Sequence, residues 1–496
     1  MSPIRAVVMG AGPAGLTAAY ELDKHSIPVT VVEEDPVYVG GIARTASHNG
    51  YRFDIGGHRF FSKNDEVEDL WTEILGDEML TRGRLSRIYY RGKFFDYPLK
   101  ATNALFNMGL IETIRCGFSY LWARIHPVRD PKTLEEWVSN QFGHRLFIHF
   151  FKTYTEKVWG IPTSELSADW AAQRIKGLDL GQVIKSALLP QRKPKDRANV
   201  IKTLIDRFRY PRYGPGQLWE RVRDILHDHG HDVRMGEEVV RVTYSGGRVR
   251  SLTVRGPDGR EETIEGDQFI SSLPMRELVR SLSPEPPPAV RQAAESLRYR
   301  DFLTVALMID RDDTFPDNWI YIHDPDVKVG RLQNFKNWSE WMVPDRSKTC
   351  IGMEYFCFEG DGLWTSSDEE LIELGKRELS QLDFCRPEEV FDGAVVRVQK
   401  AYPVYDDAYT EHVKTIRDWA ETALPNLHFC GRNGMHKYNN QDHSMMSALL
   451  VARRIAGVSE LDPWNVNADA EYHEELRESE DATGRLVPQR VPTAAE

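Results

Sequence analysis

Gly10, Gly12 and Gly15 are spaced as GxGxxG, between an apolar run over residues 4–9 and a helix-like stretch over 13–22 that holds Pro13 and Ala14. The first glycine permits a tight strand-to-helix turn. The second lets the backbone approach a pyrophosphate, and the third lets helix and strand pack closely. A helix N-terminus then offers free N–H groups to the anion. Roughly 20 residues on, Glu33 ends a second apolar run, where a carboxylate takes a ribose hydroxyl and repels a 2′-phosphate. Strand, loop, helix and acid together outweigh the reading of a plain glycine turn. Only one such loop is present, so one dinucleotide is built in.

Two further features favour FAD over NAD. Gly40-Gly41 and Asp54-Ile55-Gly56-Gly57-His58 put glycine pairs where backbone can lie against a flat ring. Far downstream, Phe429-Cys430-Gly431-Arg432 is followed by Asn440-Gln441-Asp442-His443 at the start of a helical stretch. A second helix N-terminus would favour negative charge at the N1–C2=O edge of a reduced isoalloxazine. The cofactor set is Gly10, Gly12, Pro13, Ala14, Gly15, Glu33, Gly40, Gly41, Gly56, Gly57, His58, Val239, Gly431, Arg432, Gln441 and Asp442.

These residues need several elements to position them. A chain of 496 residues is too long for one core. The pattern reads as α/β: a Rossmann-like FAD-binding domain with an inserted helical domain and an antiparallel β-sheet substrate domain. The cofactor domain takes residues 1–99, 210–275 and 419–473, the helical insertion 100–209, the substrate sheet 276–418, and a disordered polar tail 474–496. The basic run over 191–197 reads as a solvated loop.

Composition narrows the ligands. Lys and Arg total 63 against 75 Asp and Glu, a net charge of −12, which disfavours nucleic acid. An anionic ligand must be met by a few placed arginines. The five cysteines are scattered without metal spacing, so the expectation is reduced thiols, no metal and a cytoplasmic protein. No run reaches the ~20 apolar residues of a membrane span, and the first strand leaves no room for a signal peptide. Nothing in the sequence sets an oligomeric state.

The stretch Asp54-Ile55-Gly56-Gly57-His58-Arg59-Phe60-Phe61-Ser62 resembles the flavin loop of the UDP-galactopyranose mutases, within the amine oxidase–protoporphyrinogen oxidase superfamily. Lys157-Val158-Trp159 with Trp170 and Arg174 is similar to a second segment of that family. So are Phe208-Arg209-Tyr210-Pro211 with Gly214 and Trp219, and Trp319-Ile320-Tyr321 with Arg331 and Asn337. Tyr402-Pro403, Lys437-Tyr438 and the Asn440 segment complete the resemblance, which runs in order over about residues 4–460.

The resemblance implies a nucleotide-sugar substrate and a pyranose–furanose interconversion, with N5 of reduced FAD as nucleophile at the anomeric carbon. It implies catalytic roles for His58, Arg174 and Arg331, the two arginines clamping the diphosphate. It implies substrate contacts from Tyr97, Trp159, Trp170, Tyr321, Tyr402, Tyr438 and Asn440. The chain departs from the family at Leu99 and Lys100, where the uridine pocket has an aromatic ring and an amide, and at Trp338. The gap between Tyr438 and Asn440 is also shorter. The base and sugar therefore stay open, a deoxysugar on dTDP or GDP included. The competing reading is a net FAD-dependent oxidoreductase of amine oxidase, desaturase or nucleotide-sugar oxidase type; a non-catalytic flavoprotein would leave the arginines and tyrosines without a role. The reductant is NAD(P)H visiting the cleft transiently, or a protein donor.

Overall fold

The first apolar run forms the strand Ala6–Met9, which pairs in parallel with Val29–Glu33 on one side and Gln268–Ser271 on the other. Asp232–Met235 and Leu427–Phe429 extend this to a five-stranded parallel sheet. Helices or further strands cover both faces, which is why its inner strands read as continuous apolar runs. The computed structural model describes residues 4–62, 64–97, 99, 101–166, 168, 207–406 and 408–466.

The helix Pro13–Lys24 follows the glycine loop with Pro13 in its first turn, where no backbone N–H is required. It packs with Gly216–Asp228 and Gln441–Ile455 on one face of the sheet. The other face carries the antiparallel strands Glu238–Ser245, Arg248–Arg255 and Glu261–Glu265 with the helices Met275–Ser281 and Tyr409–Ala423. The fold is thus α/β with a Rossmann-like unit, as the sequence pattern predicts.

A second sheet of seven strands runs Val390–Pro403, Tyr299–Ile309, Thr349–Cys357, Arg331–Asn334, Trp319–Ile322, Ser86–Tyr90, Lys93–Asp96. It is antiparallel except where Trp319–Ile322 meets Ser86–Tyr90 in parallel. The Ser86–Asp96 hairpin therefore lies in the sequence segment read as cofactor domain, yet its hydrogen bonds go to the substrate sheet. Register places Tyr321 opposite Arg331, and Arg331 opposite Glu354, so the three share one rung on one face.

Helices occupy Ala101–Met108, Leu110–Ile125, Leu134–Phe142 and Thr153–Trp159. Thr133 and Glu136 close a capping box at the start of the third. One π turn, Ile148–Lys152, leads into the last. That last helix is pinned to the large sheet by the Lys157 ammonium, which donates to the carbonyls of Ile322, Asp324 and Val329 at 3.2, 2.6 and 3.0 Å.

Candidate active site

The glycine loop has the geometry its spacing predicts. Gly10 sits at φ +94°, and a Cβ there would lie 2.5 Å from Ser272 Oγ. A Cβ on Gly15 would lie 1.9 Å from the Gly10 carbonyl oxygen, so only glycine lets the helix start this close to the strand. Gly12 faces Gly41 with no side chain on either. Glu33 Oε2 accepts the Ala11 N–H at 2.7 Å and Oε1 the Asp35 N–H at 3.0 Å. Burial raises the Glu33 pKa, and these two N–H groups work against that rise.

The loop opens into a cavity of about 1340 Å³. Pockets for single small ligands run to ~1,000 Å³, so this one has room for a dinucleotide and a second ligand. Of the expected cofactor residues, Gly10, Gly12, Pro13, Ala14, Glu33, Gly41, Gly56, Gly57, His58, Val239, Gly431, Arg432 and Gln441 line it. Gly15, Gly40 and Asp442 are not among the lining residues. Gly15 serves helix–strand packing. Gly40 at φ +98° donates its N–H to the Ala11 carbonyl, and a Cβ there would meet the Trp219 ring at 2.8 Å. Asp442 is buried and accepts from Ser62 Oγ at 3.2 Å, which ties the end of the flavin-loop motif to the Gln441–Ile455 helix.

That helix aims its N-terminus at the cavity, with Asn440, Gln441 and Ser444 in the wall. Gln441 Oε1 and Asn433 Oδ1, both in the cavity wall, are buried without a hydrogen-bond partner among the described residues. Unmet acceptors, a cradle of glycines and a helix N-terminus all suit a dinucleotide with a polar ring edge, so the residues present fit a flavin.

Tyr97, Trp159, Tyr321, Arg331, Tyr402, Tyr438 and Asn440 line the same cavity. Arg331 Nε donates to Glu354 Oε2 at 2.7 Å, and the guanidinium stands 5.9 Å from the Tyr321 ring centre. Desolvation alone would lower the Arg331 pKa, but Glu354 carries it well above the usual value. Gly56 sits at φ +88°, in the left-handed region that favours glycine, and its Cα side faces both His58 Nε2 and Arg331 Nη2, each within 4 Å of an ideal Cβ. His58 Nε2 lies 2.9 Å from the Ile55 carbonyl oxygen. Burial, with Arg432 and Arg331 nearby, lowers its pKa to about 4, which leaves the ring neutral at neutral pH.

Tyr402 stacks on Tyr438, ring centres 5.7 Å apart, beneath the Arg432 guanidinium. Arg432 itself holds the carbonyls of Asn439 and Ala401 at 2.8 and 3.1 Å. Burial raises the Tyr402 pKa, so its phenol remains an O–H donor.

Several residues carry weight that sequence reasoning did not assign. Tyr154 lines the cavity, stacks on His323 at 4.9 Å and meets Tyr321 edge-on at 5.5 Å. Phe302 and Phe356 form an apolar wall beside Tyr402. Arg300 is buried and has no carboxylate in salt-bridge contact among the described residues. It donates to the carbonyls of Val158, Lys157 and Phe356 at 3.1, 3.3 and 3.0 Å, and its Nη1 has no hydrogen-bond partner among the described residues. Alternation along Tyr299–Ile309 was the one available signal, since Arg300 and Phe302 share a strand face. Trp338 belongs to the core: it stacks on Trp319 and donates its indole N–H to the Asn318 carbonyl. Trp170 and Arg174 lie outside the described residues.

A crystal structure of reduced UDP-galactopyranose mutase matches with a TM-score of 0.79 over 94% of this chain and 98% of that one, at 20% identity, a likeness of fold. Protoporphyrinogen oxidase 1, chloroplastic, of Arabidopsis thaliana is 26% identical over 204 residues, which are 38% of each chain. The 1-hydroxycarotenoid 3,4-desaturase of a Flavobacterium species is 31% identical over 103 residues, 20% of this chain and 21% of that one. The sequence matches thus span less than half of either relative. The family of flavin containing amine oxidoreductases matches across residues 13–456, and the chain belongs to it.

Proposed function

We propose that the chain is a flavin-dependent nucleotide-sugar mutase that interconverts pyranose and furanose forms of an NDP-sugar. The observation that carries this is one continuous cavity joining the glycine loop to a tyrosine-walled recess around Arg331. The mutase likeness over nearly the full length of both chains supports it.

FAD in its reduced form would supply the nucleophile for the anomeric carbon. Glu33 would take a ribose hydroxyl, and the N-terminus of Pro13–Lys24 the pyrophosphate. The N-terminus of Gln441–Ile455 would favour negative charge on the ring edge. Neutral His58, fixed through Ile55, adds no cation next to that site. A nucleoside diphosphate must be held both as leaving group and as returning nucleophile. Arg331 suits this: Glu354 meets its Nε and Nη2 and so fixes the plane of a guanidinium whose remaining N–H groups would donate to phosphate oxygens. Arg174 is its expected partner on the helical insertion. Tyr321, Tyr402 and Tyr438 would donate O–H groups to phosphate oxygens, and Asn440 would reach sugar hydroxyls. Electrons would come from NAD(P)H entering the same cavity, or from a protein donor.

A second reading is net oxidation of an organic substrate, favoured by the oxidase and desaturase among the sequence relatives and by the apolar wall of Phe302 and Phe356. One experiment separates the two. The purified holoprotein is reduced anaerobically with dithionite and given UDP-, dTDP- and GDP-sugars, with products read by chromatography and NMR. The mutase reading expects an isomer of unchanged mass from reduced protein only. A dehydrogenated product from oxidised protein, with flavin reduction, overturns it.

A further inference from the structure

The helix Leu110–Ile125 is turned inside out. Its inner face is polar. Glu112 accepts from Arg145 Nε and Nη2 at 2.6 and 2.8 Å and lies 3.0 Å from His149, and Ser119 Oγ accepts the Arg145 backbone N–H at 3.2 Å. Its outer face is apolar. Leu110, Ile114, Leu121 and Ile125 run along it, and Ile111, Phe118 and Trp122 widen it, all exposed by 49% to 75%. At 3.6 residues per turn these seven cover a continuous arc of roughly 120°. Soluble proteins scatter exposed apolar side chains singly, and a contiguous patch marks a docking surface.

The charges beside the stripe indicate what docks. Arg115 borders it on one side and Arg124 on the other, and Arg129 follows the helix, all exposed. The one acid of the helix, Glu112, is turned inward; Arg115 reaches it at 3.6 Å, but it already serves Arg145 and His149. This basic rim sits on a chain of net charge −12, so it is a local feature. A two-fold contact with a second copy would set arginine rim against arginine rim. An anionic bilayer surface complements both the stripe and the rim, and Trp with Leu and Phe on one face and Arg at its borders is the pattern of a helix lying in the interface. Among the described residues no helix is long and apolar enough to cross a membrane.

We infer that Leu110–Ile125 docks the protein onto anionic lipid surfaces, lying flat with Phe118 and Trp122 among the acyl chains. The inference is independent of the reaction proposed above. The test is flotation of the flavin-loaded full-length protein with vesicles of equal parts phosphatidylglycerol and phosphatidylcholine, and with phosphatidylcholine alone. The variant Ile114→Glu/Phe118→Glu/Leu121→Glu changes only exposed positions, and unchanged flavin absorbance and melting temperature check its fold. The wild type floats with the anionic vesicles, less so as salt rises, and the triple variant loses about tenfold or more of that binding. Absence of flotation, or equal flotation with neutral vesicles, overturns the inference. So does a wild-type dimer that the triple variant dissolves, which assigns the face to a second copy. All five native cysteines are buried, so Phe118→Cys reports on the stripe. If its thiol resists maleimide in vesicle-free monomer, the chain itself covers the face and the inference fails.

Discussion

Arg331 is held by a carboxylate before any substrate arrives. Glu354 is fully buried and lies on the same rung of the sheet, and Gln333 also donates to it. Removing one member of a buried pair leaves an uncompensated charge and costs about 3–5 kcal/mol. Arg331→Ala should therefore weaken nucleoside diphosphate binding by roughly a few kcal/mol for the lost charge-assisted pair and also lower the melting temperature. Arg331→Ala/Glu354→Gln should recover much of the stability while diphosphate binding stays weak. Calorimetric titration with UDP, dTDP and GDP, set beside thermal unfolding, checks both halves. Normal diphosphate binding by either variant removes Arg331 from the site. At this scale the glycine loop and Glu33 were legible, because their requirements are local: a positive φ, a missing Cβ, a strand end. Tyr154, Arg300 and Glu354 were not, because ordinary residue types gain their roles from strands and helices far apart in the chain.

The helix Thr153–Trp159 shows the same dependence one level up. Lys157 is pinned by three backbone carbonyls and, among the described residues, by no carboxylate, and burial lowers its pKa to about 8. Arg300 grips the carbonyls at the end of the same helix. Two cations thus join the helical insertion to the large sheet along the wall that carries Tyr154 and Trp159. Lys157→Met should free the three carbonyls, at ~1–3 kcal/mol for each buried acceptor left unmet. The expected outcome is retained flavin with faster proteolysis within residues 101–166, read by limited digestion and mass spectrometry. Equal digestion of variant and wild type would contradict it. The first β–α–β unit was readable to within a few residues because its apolar runs and turn signals are consecutive. The Ser86–Asp96 hairpin was misplaced because its partner strand, Trp319–Ile322, is distant in sequence and no local pattern announces a parallel pairing.

For the whole molecule, buried titrating groups set the response to acid. Burial lowers the pKa of His323 to about 3 and of His436 to about 4. The unfolded chain protonates each near 6.5, so their contribution to stability is present above that pH and is lost as pH falls below it. Asp54 acts in the opposite sense. Burial pushes its carboxyl up to about 7, against hydrogen bonds from Tyr210 and Thr45, so its contribution is lost as pH rises through that value. Between about pH 4 and 6.5 the unfolded chain holds two extra protons on these histidines and the folded chain one on Asp54. For these three groups the difference is one proton, which is a slope of at most ~1.4 kcal/mol per pH unit, stability falling with acid. His436→Gln should flatten the unfolding free energy against pH, read from urea melts at each pH, by about that amount. An unchanged slope would mean that His436 titrates normally in the fold.

The parallel sheet draws its central strand from residues 6–9 and one edge from residues 427–429. Gly431, at φ +77°, crosses so near Ala14 that a Cβ on it would lie 2.6 Å from the alanine Cβ. Segments far apart in the sequence thus meet at the phosphate loop. The wall around the loop therefore draws on segments hundreds of residues apart, so the cavity closes only when the turn at 10–14 and the segment 431–444 are folded against each other. A chain cut short anywhere between these two segments keeps the loop and lacks its opposite wall, so a dinucleotide is gripped by the folded whole and not by the β–α–β unit alone.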